Sequence, residues 1–81
     1  MKLLPVHVAG ARAFLRMTQA ELAKAADVSE DTVRFFESGR TEPKEETLYR
    51  LQHALEQRGI EFYNSDEPGV RLRPSKAVIP S

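Results

Sequence analysis

The stretch from Thr18 to Gly39, TQAELAKAADVSEDTVRFFESG, decides the fold. Its first residues, Thr18-Gln19-Ala20-Glu21, form a capping box: the Thr18 hydroxyl and the Glu21 carboxylate are spaced to satisfy two backbone donors that a first helical turn leaves unpaired. A helix therefore starts here, with Leu22, Ala23 and Ala26 on one face and alanines small enough to let a neighbouring helix approach closely. Asp27 breaks the pattern. Ser29 restarts it as a second N-cap, followed by Glu30 and Asp31 in the first turn, where negative charge suits the helix dipole. Val33, Phe36 and Glu37 then share one face, while Glu30, Arg34, Phe35 and Ser38 lie largely elsewhere and Gly39 supplies a common helix-ending residue.

On the N-terminal side, residues 6 to 16 read as a helix, with Val8, Ala11 and Leu15 at i, i+3 and i+7. On the C-terminal side, the loop from Arg40 to Lys44 contains Pro43, and Leu48, Leu51 and Leu55 then repeat at helical spacing before Gly59, which makes a fourth and longest helix. After Gly59 the period changes to two. Ile60-Glu61-Phe62-Tyr63 and Val70-Arg71-Leu72-Arg73 alternate around the turn formers of Asn64 to Gly69, the pattern of a β-hairpin. The fold class expected is thus mainly α: a four-helix domain over residues 1–59, a C-terminal β-hairpin over 60–73, and a flexible tail over 74–81. An isolated two-stranded hairpin is barely stable in water, so its apolar face must cover the helices or meet a second subunit as a dimer contact.

Composition bounds the function. With 81 residues the chain is one domain, and a domain of this size buries only about 60% of its unfolded surface. Its 41% hydrophobic and 30% charged residues are ordinary for a globular protein. There is no apolar run near the roughly 20 residues of a membrane span and no secretory leader pattern, so a cytoplasmic protein is expected. The chain has no cysteine, which excludes disulfides and thiolate-held zinc. His7 and His53 are too far apart for a local metal motif and read as surface or boundary residues. No phosphate-cradling glycine loop or nucleophile motif is present, so no enzyme, no cofactor and no metal site is expected. The 12 basic and 12 acidic residues cancel, and any positive surface has to come from their arrangement.

Two helices joined by so short a turn cross steeply, and Ala23, Val28, Val33 and Phe36 fall where that crossing needs packing. The outer face of the second of them is left free. Such a face can enter the major groove of DNA with its N-terminal residues at base edges, while the preceding helix crosses the backbone.

Thr18-Gln19-Ala20-Glu21-Leu22-Ala23, Val28-Ser29 with Thr32-Val33, Phe36-Glu37-Ser38-Gly39, and then Pro43 and Thr47-Leu48 closely resemble the phage-repressor-like (XRE, or Cro-type) helix-turn-helix family of DNA-binding transcriptional regulators, over about residues 8 to 58. The resemblance implies a regulator of double-stranded DNA, a repressor that binds a pseudo-palindromic operator as a homodimer through a recognition helix over about residues 29–38. It implies that Gln19 contacts phosphate and steadies that helix, that Glu30, Asp31, Thr32, Arg34 and Phe35 face the bases, and that Arg40 and Lys44 touch phosphates. It also implies a structural salt bridge between Arg12 and Glu37. The chain departs from the family pattern at Asp27, where the turn usually has glycine, and at Glu30 and Asp31, which present carboxylates to a polyanion.

The residues themselves leave alternatives open. Glu30 and Asp31 either cap the helix or accept a hydrogen bond from cytosine N4, and Arg34 suits guanine or phosphate. Phe35 either touches thymine methyls or packs on the fourth helix or a partner, and Arg16 and Lys24 are weaker phosphate candidates. The rival reading is an antitoxin-like or adaptor protein that uses the same scaffold to hold a protein partner, which the neutral charge and acidic tip favour.

Overall fold

The computed structural model describes residues 2–64 and 68–72. The tail expected over 74–81, Arg73 at the hairpin's end and the tip at 65–67 lie outside the described residues. Four helices, α1 (Pro5–Leu15), α2 (Gln19–Ala26), α3 (Glu30–Glu37) and α4 (Glu45–Glu56), precede two strands, β1 (Ile60–Asn64) and β2 (Pro68–Leu72). This is the mainly α architecture that the sequence predicts.

Each helix start has a local cause. Pro5 occupies the first position of α1, where its missing N–H is no loss, so the helix begins one residue earlier than its apolar repeat predicts. The Leu4 N–H donates to His7 Nδ1 at 2.9 Å in place of a hydroxyl cap. The helix ends at Leu15 because Arg16 takes the left-handed conformation, with φ 56°. In α2 the Thr18 hydroxyl accepts the Glu21 N–H at 3.0 Å and the Glu21 carboxylate accepts the Thr18 N–H at 2.8 Å. Those bonds, the backbone one foremost, hold the Glu21 carboxyl below the usual carboxylate range. Ser29 Oγ accepts the Thr32 N–H at 3.1 Å to start α3. No side chain caps α4, whose first turn instead carries Glu45 and Glu46 against the helix dipole.

The apolar faces meet in one core. Val8, Ala11 and Leu15 of α1, Leu22, Ala23 and Ala26 of α2, Val33 and Phe36 of α3, and Leu51, Ala54 and Leu55 of α4 are buried together with Leu3 and Ile60. The hairpin covers part of this core with Phe62, Val70 and Leu72. It pairs in antiparallel register from Ile60 opposite Leu72 to Asn64 opposite Pro68, so pairing reaches further into the expected turn than alternation alone indicates. Two features permit this. Gly69 lets the Tyr63 ring lie across the partner strand, where an added Cβ would come within 2.3 Å of Tyr63 Cε2, and a residue with no N–H is tolerated at the first position of an edge strand.

Strand β2 lies on α1, and Gly10 makes room for it: a Cβ there would stand 3.2 Å from Val70 Cγ2. The hairpin also corrects one expectation. His7, read as a surface or boundary residue, is buried, because the Phe62 ring closes over it edge-on with centroids 5.6 Å apart. Burial pushes the imidazole pKa below its usual value, opposed in part by the nearby Tyr63 backbone, and leaves Nε2 buried without a hydrogen-bond partner among the described residues. Among the described residues no helix is long and apolar enough to cross a membrane.

Candidate nucleic-acid interface

The turn between α2 and α3 sets where α3 points. Asp27 ends α2 in the left-handed conformation, with φ 58° and ψ 49°, a region that side chains other than glycine occupy at a cost and that Asp tolerates better than most. The Val28 N–H reaches back to the Ala23 carbonyl at 2.9 Å. Arg50 of α4 then fixes the turn from outside: its Nη1 donates to the Asp27 carbonyl at 3.0 Å and lies 3.5 Å from the Asp27 carboxylate. Its Nη2 donates to Glu46 at 3.0 Å. Sequence reasoning missed Arg50. The only local signal is the Glu46 and Arg50 spacing on one helix face, which gives no hint of the long-range half of the contact.

A second clamp joins α1 to α3. Arg12 Nε donates to Glu37 Oε2 at 2.6 Å and Nη2 donates to Glu37 Oε1 at 2.8 Å, a two-pronged geometry. The third arm, Nη1, donates to the Met17 carbonyl at 2.8 Å. Hydrogen bonding to Glu37 raises the Arg12 pKa above its usual value, with partial burial opposing and the Glu37 charge adding to it. Gln19 at the start of α2 joins the cluster, with its Nε2 donating to Glu37 Oε1 at 3.3 Å. One carboxylate therefore ties three helices together.

With Val33 and Phe36 turned inward, the remaining face of α3 looks out. Glu30, Asp31 and Arg34 are exposed, whereas Thr32 and Phe35 are half-buried. The Thr32 and Ser29 hydroxyls are hydrogen-bonded to each other at 2.7 Å, so Thr32 is engaged in the cap. Arg34 forms an ion pair with Asp31 one turn before it and lies over the Phe35 ring, its guanidinium carbon 5.1 Å from the centroid. Gly39, with φ 78°, reverses the chain after α3. The guanidinium of Arg40 consequently comes back over the same ring, 5.0 Å from its centroid.

The fold thus gathers Asp31, Arg34, Phe35 and Arg40 into one cluster and ties Gln19 to the clamp. Glu30 stands exposed at the first position of α3. Lys44 is set apart, on a groove of about 830 Å³ that runs along α4 from Glu45 to Glu56 beside Leu3 and that no residue of α2 or α3 lines. Arg16 and Lys24 are exposed. Among the described residues no group of three or more His, Asp or Glu side chains is placed to hold a metal ion.

A family model described as helix-turn-helix matches residues 12–62, more than half of the chain. The matched span opens on Arg12 and closes on Phe62, and so includes both clamps, the two caps and the cluster on α3. No curated protein matches the chain.

Proposed function

The chain belongs to the helix-turn-helix family, of the XRE or Cro type, and carries its DNA-binding regulator domain; from that premise we propose that it is a sequence-specific repressor that binds a pseudo-palindromic operator as a homodimer. The observation that carries the reading is the outward face of α3, where Arg34 and Arg40 flank Phe35 on a helix clamped at both ends. Clamping matters because a reading helix that is already ordered loses little conformational freedom on binding. Gln19 and Arg40 take the phosphates on either side, Lys44 adds a more distant phosphate contact, and Glu30, Asp31, Thr32, Arg34 and Phe35 line the groove face.

The dimer reading rests on the hairpin. Among the described residues the sheet has two strands, so no further strand pairs with either outer edge, and Tyr63 on β1 is an exposed aromatic. Unpaired edges favour pairing with another chain. Two recognition helices then meet half-sites about 10 base pairs, or about 34 Å, apart on one face of the duplex. The zero net charge and exposed Val6, Phe14 and Tyr49 favour the second reading, an antitoxin-like or adaptor protein holding a protein partner.

Selection of bound sequences from random duplex DNA at a fixed ionic strength tests the choice. Recovery of a two-fold symmetric site supports the repressor dimer. Weak, sequence-blind binding that falls steeply with salt overturns it in favour of the adaptor.

A further inference from the structure

The acidic tip of α3 is a puzzle for a DNA-reading helix, since Asp31 brings negative charge to a polyanion. For Asp31, the geometry gives an answer. Asp31 does not stand free: its Oδ1 accepts from Arg34 Nη2, and both side chains are more than half exposed, at 63% and 53%, so the pair sits on the surface that faces outward. Arg34 is held twice, by the carboxylate at one nitrogen and by the Phe35 ring beneath its guanidinium carbon. A guanidinium carries five donors in a planar fork, of which the carboxylate occupies one end. The other end is left to engage two acceptors side by side. In the major groove, guanine O6 and N7 are the acceptor pair that matches that fork.

We infer that Asp31 is a positioning residue that fixes Arg34 for a guanine, and that the half-buried Phe35 ring beside it takes the C5-methyl group of an adjacent thymine. The inference rests on the DNA reading above and names the bases it requires. Arg40 completes the unit from the far side of Gly39: with its guanidinium over the same ring, it leaves the cluster of Asp31, Arg34 and Arg40 with one net positive charge. What the ring still offers to the groove is apolar carbon, which suits a methyl group and no hydrogen-bonding edge. The carboxylate therefore gives up some general attraction to DNA in exchange for a fixed guanidinium.

The test uses the full chain and the site selected for it, with every single-base variant of that site and an unrelated duplex measured alongside. Arg34→Lys keeps the charge and removes the fork, so it should lower the preference for guanine at one position by about fivefold to a hundredfold while leaving affinity for the unrelated duplex intact. Asp31→Asn should act in two directions at once: binding to the unrelated duplex strengthens, because a negative charge is gone, and the guanine preference weakens. Replacing the adjacent thymine by uracil, which lacks only the methyl group, should weaken the wild type and the Phe35→Leu protein but not Phe35→Ala. Circular dichroism keeps folding out of the comparison.

Two results overturn the inference alone while leaving the DNA reading standing: Asp31→Asn strengthens binding to every duplex alike with guanine preference unchanged, or uracil binds the wild type as well as thymine does. A wild-type protein that shows no preference among duplexes overturns the DNA reading, and this inference with it.

Discussion

Replacing Arg12 by alanine removes three hydrogen bonds at once, two to Glu37 and one to the Met17 carbonyl. What then remains beside Glu37 is the Gln19 amide at 3.3 Å, a neutral donor next to a carboxylate whose side chain is only 9% exposed. Removing one partner of a buried ion pair costs about 3–5 kcal/mol, because the other charge is left without compensation. The Arg12 side chain is itself 20% exposed, so water enters the vacated space and the lower end of the range applies. A loss of about 3 kcal/mol in a domain of this size lowers Tm by about 12–24 °C. Thermal unfolding followed by circular dichroism at neutral pH measures it for the wild type, Arg12→Ala, Glu37→Ala and the double variant. The double variant has no stranded charge, so it should be more stable than the sum of the single effects by about 1–3 kcal/mol. A fall of less than about 4 °C for Arg12→Ala, equivalent to under about 1 kcal/mol, or strictly additive single effects, would refute the clamp as the main tie between α1 and α3.

Three further outcomes follow from the same structure. His7 Nδ1 accepts the Leu4 N–H only while neutral, and the folded protein holds its pKa below 6.5. The unfolded chain therefore takes up a proton first, so stability is complete above about pH 6.5 and falls as the pH drops toward the folded-state pKa, by at most about 1.4 kcal/mol per pH unit. His7→Gln should flatten that part of a stability profile, and an unchanged slope in the variant would assign the acid sensitivity elsewhere. Gly10→Ala should be close to neutral, since a gain of about 1 kcal/mol in helix propensity is set against the tight 3.2 Å approach to Val70; Gly10→Leu should lift β2 from α1 and expose the hairpin amides to rapid hydrogen exchange. Arg40→Gln should reduce the salt dependence of DNA binding by about one unit of slope, and a slope equal to the wild type's would remove Arg40 from the phosphate contacts.

What the sequence made legible was local. The capping box at Thr18 and the Ser29 cap lie within four residues of their partners, and both appear in the structure at ordinary hydrogen-bond distances. The apolar repeats placed the buried faces of all four helices, because a helix fixes which side chains share a side. The misses needed contacts between distant segments. Arg50 on the Asp27 carbonyl joins positions 23 residues apart, and no periodicity marks such a pair. His7 was misplaced because its burial depends on Phe62, which arrives only when the hairpin folds back on α1. The start of α1 lies one residue before the expected one because Pro5 fills the first helical position, and the histidine that replaces a hydroxyl cap there has no short sequence signature. At the candidate site, the outward position of Arg34 was readable from α3 alone. Its company with Arg40 over one ring was not, since that depends on the reversal at Gly39.

Glu37 accepts from Arg12 on its inner side and from Gln19 at the start of α2, which gives a classical genetic screen on this chain a particular signature. Random alleles selected for loss of DNA binding would include substitutions at Arg12 and Glu37 alongside those at Arg34 and Arg40. Growth temperature would separate the two sets: alleles of the clamp act by lowering the folded fraction and regain function in the cold, when a domain short of about 3 kcal/mol is again mostly folded. Alleles on the groove face stay defective at every temperature, because the folded protein they produce lacks the contact itself.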